Sequence, residues 1–135
     1  MGARTTIGRA GESTAAAFIQ EHGLDIIERN WRNGRAGELD IIADDGDRVV
    51  VIEVKTRVGD RCGTALEAVD ARKLARLRGL AVAWAKARSV HRRLRIDAIG
   101  ISLDPQELRP VRDTVEETTD LRSHGARIQW VRGLA

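Results

Sequence analysis

Glu38-Leu-Asp-Ile-Ile-Ala43, Asp44-Asp-Gly-Asp47 and Val49-Val-Val-Ile-Glu-Val-Lys-Thr56 read together as a β-hairpin. Both flanks are rich in β-branched residues, and Asp45-Gly46 between them is a strong short-range turn signal. A two-residue turn at that pair sets Asp44 opposite Asp47, Asp40 opposite Val51 and Glu38 opposite Glu53. Side chains alternate along a strand, so Glu38, Asp40, Val51, Glu53 and Lys55 then project to one face. Asp40 and Glu53 become diagonal neighbours, roughly 7–8 Å apart at the backbone and closer at Cβ. Carboxylates that near repel unless a proton or a cation lies between them. A hard divalent cation, with oxygen ligands at about 2.0–2.1 Å, suits the gap. The same alternation also describes an ordinary solvated strand face. A three-residue loop would send Asp40 and Glu53 to opposite sides of the sheet.

Asp40 precedes Glu53-Val-Lys55 by thirteen positions, an order that resembles the active-site signature of PD-(D/E)XK nucleases. Further motifs are Gly8-Arg-Ala-Gly-Glu12, Arg29-Asn-Trp31, Gly37-Glu-Leu-Asp-Ile-Ile42, Val51-Ile-Glu-Val-Lys-Thr-Arg57 and a helix carrying Lys73. Together they resemble the YraN-like family, small bacterial proteins distantly similar to archaeal Holliday junction resolvases. The resemblance covers roughly residues 8–103 and a final strand at Arg127–Arg132. Two departures stand out: the charged stretch 104–126 is longer than the family suggests, and Leu39 stands where a proline would precede the first acid.

The resemblance implies a site for metal-dependent DNA hydrolysis. Asp40 and Glu53 would ligate one Mg²⁺ or Mn²⁺, with the Val54 carbonyl as a third ligand. Lys55 would orient or help deprotonate the attacking water. Glu12 would position a water in the metal's shell, although it also reads as an exposed acid early in a helix. Arg57, Arg61, Arg72, Lys73 and Arg76 would hold phosphates, which positions duplex or branched DNA without reading its sequence. Lys73 reads equally well as a surface lysine on a basic helix. Resolving a junction takes two active sites, so that role would imply a homodimer.

Charge is distributed to match. The net charge is only +3, yet residues 57–95 hold eleven Lys or Arg against three Asp or Glu. Residues 1–56 hold seven against ten, and residues 96–135 five against seven. A basic block beside an acidic site suits a polyanion gripped by one part and cut by the other. A solvated helix surface is the plainer alternative.

The 135 residues suit one domain, 1–135, with 104–126 as a charged and flexible insertion. No run of eighteen apolar residues exists, so no membrane span is expected. Met-Gly-Ala-Arg-Thr-Thr lacks the apolar segment of a secretory signal. The single cysteine, Cys62, suits a reducing compartment, so the expected location is the cytoplasm. His22, His91 and His124 have no zinc-site spacing, and neither a phosphate loop nor a dinucleotide fingerprint occurs.

Periodicity supplies the remaining elements. Thr5 or Thr6 caps a helix to about His22, with Ile7, Gly11, Ala15, Phe18 and Ile19 as its buried stripe. Strands are expected at Leu24–Trp31 and Leu94–Leu103, and a long helix at about Val69–Ser89. Val115–Gly125 is polar enough to suggest disorder. Asp97, an acid within a strand, would support the site from behind or pair with an arginine. Trp31, Trp84 and Trp130 would stack on bases or fill the core. The order α-β-β-β-α-β-β matches a restriction-endonuclease-like α/β core, a mixed five-stranded sheet flanked by helices. Two other functions share that core: a nucleic-acid-binding module without catalysis, and an interaction domain whose arginines meet an acidic protein.

Overall fold

The computed structural model describes residues 3–59, 67 and 69–134. Its elements run α1 (Ala3–Glu21), β1 (Asp25–Arg32), β2 (Glu38–Asp44), β3 (Val49–Val58), α2 (Ala71–Ala87), β4 (Leu94–Leu103), α3 (Pro105–Leu108) and β5 (Arg127–Val131). The strands form one sheet in the order β1-β2-β3-β4-β5. Only β3 and β4 are parallel; the other neighbours are antiparallel. A parallel pair needs a crossover, and α2 provides it. This is the mixed five-stranded sheet flanked by helices that the sequence predicts, consistent with an endonuclease-like core.

The two long helices, α1 and α2, cover opposite faces. Ile7, Ala10, Ala15 and Ile19 of α1 pack on Ile41, Ala43, Val50, Ile52, Ile99 and Ile101. Leu77, Leu80, Ala81 and Trp84 of α2 pack on Leu39, Ile42, Val49, Val51 and Ile96. Burial on both sides explains why β3 and β4 are nearly continuous runs of apolar residues. Asp70 caps α2 by accepting from the Lys73 amide at 2.8 Å. α1 sits close against β3 because position 11 is glycine. A methyl group there would collide with the Thr56 hydroxyl.

The hairpin pairs two residues out of step with the expected register. Asp44 pairs with Val49, and Ile41 with Ile52, which leaves a four-residue loop at 45–48. The turn is wider because aspartate side chains cap it from within. Asp44 accepts from the Gly46 amide at 2.7 Å, and Asp45 from the Asp47 and Arg48 amides at 2.9 and 2.6 Å. A shift of two by itself preserves which side the paired residues face.

The 104–126 stretch folds back onto α1. After α3 come 3₁₀ turns at Arg109–Thr114 and Leu121–His124. Leu108, Val115 and Leu121 are buried beneath them. Thr14, fully buried, accepts from the Leu121 amide at 2.8 Å, and Ser13 donates to the Glu117 carbonyl at 2.7 Å. The disorder expected at Val115–Gly125 is therefore not what the chain does there: these three apolar anchors and the α1 hydroxyls hold it. Asp97, also buried, pairs with Arg95 at 2.9 Å and accepts from the Trp130 indole and the Gly133 amide. That settles its role as an arginine partner that ties down the C-terminal segment. Trp84 is 1% exposed and belongs to the core, while Trp31 and Trp130 pack at its margins. Among the described residues, no helix is long and apolar enough to cross a membrane.

Candidate functional site

The ladder between β2 and β3 ends at Ile41–Ile52, and the next residue on β2 is Asp40. Its carboxylate takes over the bonding: Oδ2 accepts from the Val54 amide at 2.8 Å. Leu39 is buried against α2 while Ile41, two residues on, is buried under α1. The alternation of β2 is thus broken at Asp40. Across the sheet, where Asp40 would pair with β1, stands Asn30 in the left-handed region, φ 54°. Asparagine tolerates that conformation better than most residues do. The sheet opens at this point, and both helices reach in.

Glu53 faces this opening from β3. The Asp40 and Glu53 carboxyls are neighbours there, close enough for the charge of one to act on the other. Burial first, and then the Glu53 charge, push the Asp40 carboxyl up to about 8. From α2, the Lys73 ammonium lies 3.8 Å from Glu53 Oε2. From α1, Glu12 approaches the same acids. Carboxylate oxygens of Glu12, Glu38 and Asp40 lie within 4.8 Å of one another. Burial, followed by the Asp40 charge, raises Glu12 above the usual carboxylate range, while Asn30 and Arg9 act against that shift.

Arg9 and Asn30 bridge the two glutamates. Arg9 lies 3.0 Å from Glu12 and 3.1 Å from Glu38; Asn30 donates to the same oxygens at 2.6 and 3.2 Å. The sequence pattern places Glu38 on the face of Asp40 but gives neither bridging residue a role in the site. The motif Arg29-Asn-Trp31 held the clue, but its meaning depends on the β1–β2 register.

A cleft of about 710 Å³ adjoins the acids and is lined by Glu12, Val54, Lys55, Arg57 and Arg112 among others. Lys55 is exposed there and makes no ion pair among the described residues. The structure therefore brings together Asp40, Glu53, Glu12 and Lys73, with Val54, Lys55 and Arg57 alongside. Arg72 and Arg76 lie exposed on α2, outside the cleft lining. Arg61 falls outside the described residues.

Comparison with known sequences follows the same stretch of chain. The model of the uncharacterised protein family UPF0102 matches residues 11–101. A UPF0102 protein of Acidothermus cellulolyticus is 44% identical over 131 residues, 97% of this chain and 94% of its own. Another, of Paenarthrobacter aurescens, is 46% identical over 102 residues, 75% of this chain and 84% of its own. A third, of Frankia casuarinae, is 50% identical over 84 residues, 62% and 70% of the two chains.

Proposed function

The chain belongs to the uncharacterised protein family UPF0102, and from that premise we propose that it is a metal-dependent nuclease. Its substrate class is DNA, with branched recombination intermediates as the favoured form, and its chemistry that of the PD-(D/E)XK superfamily. The observation that carries the reading is the Asp40–Glu53 pair. Two carboxyls meet at the point where the sheet opens, and one is held protonated well above its ordinary range. An oxygen-only donor set with surplus negative charge fits a hard divalent ion, Mg²⁺ or Mn²⁺. Asp40 and Glu53 would hold it, with the Val54 carbonyl as the third protein ligand. When bound, the ion would lower the pKa of a water and neutralise charge on the scissile phosphate.

The chain's own residues divide the remaining work. The Val54 amide fixes Asp40 Oδ2 at 2.8 Å, which aims the carboxyl before any ligand arrives. Lys55 would orient the attacking water and offset the negative charge of the transition state. Glu12, held by Arg9 and Asn30, would accept a hydrogen bond from a second water. Lys73, 3.8 Å from Glu53 Oε2, would orient that carboxylate toward the ion. Arg57, beside Lys55 in the cleft, would hold a neighbouring phosphate.

The test is incubation of purified protein with linear duplex, single-stranded and four-way-junction DNA. Each substrate is tried with Mg²⁺, with Mn²⁺ and with chelator. Cutting that requires the metal and favours the junction is the expected result. Intact substrates under every condition would overturn the proposal. A junction-resolving role also calls for a homodimer, which sedimentation with and without DNA would detect.

A further inference from the structure

We propose that Arg112, carried into the cleft by the 3₁₀ turn at Arg109–Thr114, forms with Arg57 a seat for a backbone phosphate of the DNA strand. The inference rests on the nuclease reading for its substrate class. Its basis is that two arginines held by no carboxylate among the described residues line the same cleft. Arg9, Arg88, Arg92, Arg95 and Arg122 are each held by a carboxylate at 3.1 Å or closer. Arg57 and Arg112 line one cleft and have no carboxylate partner among the described residues. The cleft's acid, Glu12, is already engaged by Arg9 and Asn30. Among the described residues, Lys55, Arg57 and Arg112 thus form a positive wall that no carboxylate pairs with, which attracts an anion.

Position points to a phosphate of a polymer rather than to a small anion. Arg57 lies two residues beyond Lys55 on the same strand, roughly 6.6 Å along it. That separation is comparable with the distance between neighbouring phosphates of an extended strand. An anion at Arg57 and Arg112 would then be the phosphate next to the one beside Lys55. Arg112 is held in place although exposed: Leu108 and Val115 on either side of its turn are buried. Residue 112 also lies beyond the 11–101 stretch matched by the family model.

The experiment reads binding without cleavage, in an Asp40→Asn background with chelator. The anisotropy of labelled single-stranded and duplex DNA is followed across a salt series. Arg112→Gln should raise Kd roughly three- to tenfold on any sequence. It should also flatten the plot of log K against log salt by about 0.7 for single strands and 0.9 for duplex, one phosphate contact. Arg112→Lys should restore the slope. Arg93→Gln, at the far end of β3 where Val49 bonds to the Arg93 carbonyl, should change neither quantity. Melting curves check that each variant folds. An unchanged Kd and slope for Arg112→Gln would overturn the inference, as would absence of binding by the parent. Cleavage by the unmutated protein in Mg²⁺ is scored separately. Cutting with no Arg112 effect defeats this inference alone, and an Arg112 effect without cutting defeats the nuclease reading alone.

Discussion

The two ends of the β2–β3 hairpin carry the same residue types in opposite electrostatic circumstances. At the turn, Asp44 is gripped by both Arg92 nitrogens at 2.8 and 2.9 Å and by the Gly46 amide. Those partners hold its carboxyl down at about 2. Asp45 is likewise lowered, first by the Arg48 amide, and pairs with Arg95 at 2.8 Å. Four residues from Asp44, at the open end, Asp40 has one amide, a glutamate opposite and a lysine farther off, and its carboxyl rises to about 8. The turn satisfies its acids from within the chain. The open end leaves charge for something outside the chain to balance, and that difference separates a structural acid cluster from a site.

The comparison can be broken most decisively by substitution at the open end. Asp40→Asn or Glu53→Gln should lower metal-dependent cleavage by several kcal/mol of barrier, about a thousandfold, with the circular dichroism spectrum unchanged. Full activity in both purified variants would return these acids to the status of a solvated face. Lys55→Gln should cost about a hundredfold in turnover while leaving the metal-induced rise in melting temperature intact. Loss of that rise as well would mean that Lys55 shapes the ion site rather than the reaction.

Stability against pH sharpens the same contrast. The folded state keeps a proton on Asp40 that the unfolded chain gives up near pH 4, so this group's contribution is complete below that pH. It is lost as pH rises through about 8, the folded value. The loss should be on the order of a few kcal/mol. Denaturant melts of the chelated protein should show the decline, and Asp40→Asn or saturating Mg²⁺ should flatten it. A flat profile in the chelated parent would mean that Asp40 does not hold its proton. The smallest effect belongs to the turn. Arg92→Ala removes an exposed pair, so cleavage should stay at the parent rate and the melting temperature should barely move.

Much of this was legible in the sequence because strands and helices write their periods into it. The stripe Ile7, Gly11, Ala15, Ile19 and the alternating β4 placed their elements within a few residues of the observed bounds. The hairpin register escaped because Asp44 and Asp45 cap backbone amides and widen the turn. Asp40 and Glu53 still meet, although the alternation of β2 breaks at Asp40. The bridging roles of Arg9 and Asn30 were hidden for a different reason. Their meeting depends on one left-handed residue in β1 and on a register that no local pattern encodes. The 105–124 turns were hidden because Leu108, Val115 and Leu121 follow no regular spacing, so their burial depends wholly on α1.

Asp40 replaces a backbone acceptor at the place where two strands part, so the position has a mechanical duty as well as a chemical one. Alanine there would strand the Val54 amide and loosen the mouth of the sheet, whereas asparagine could keep the bond and lose only the charge. Any descendant that abandoned the chemistry would therefore still be under pressure to retain a short polar side chain at residue 40. The architecture itself would preserve the outline of the site after its activity had gone.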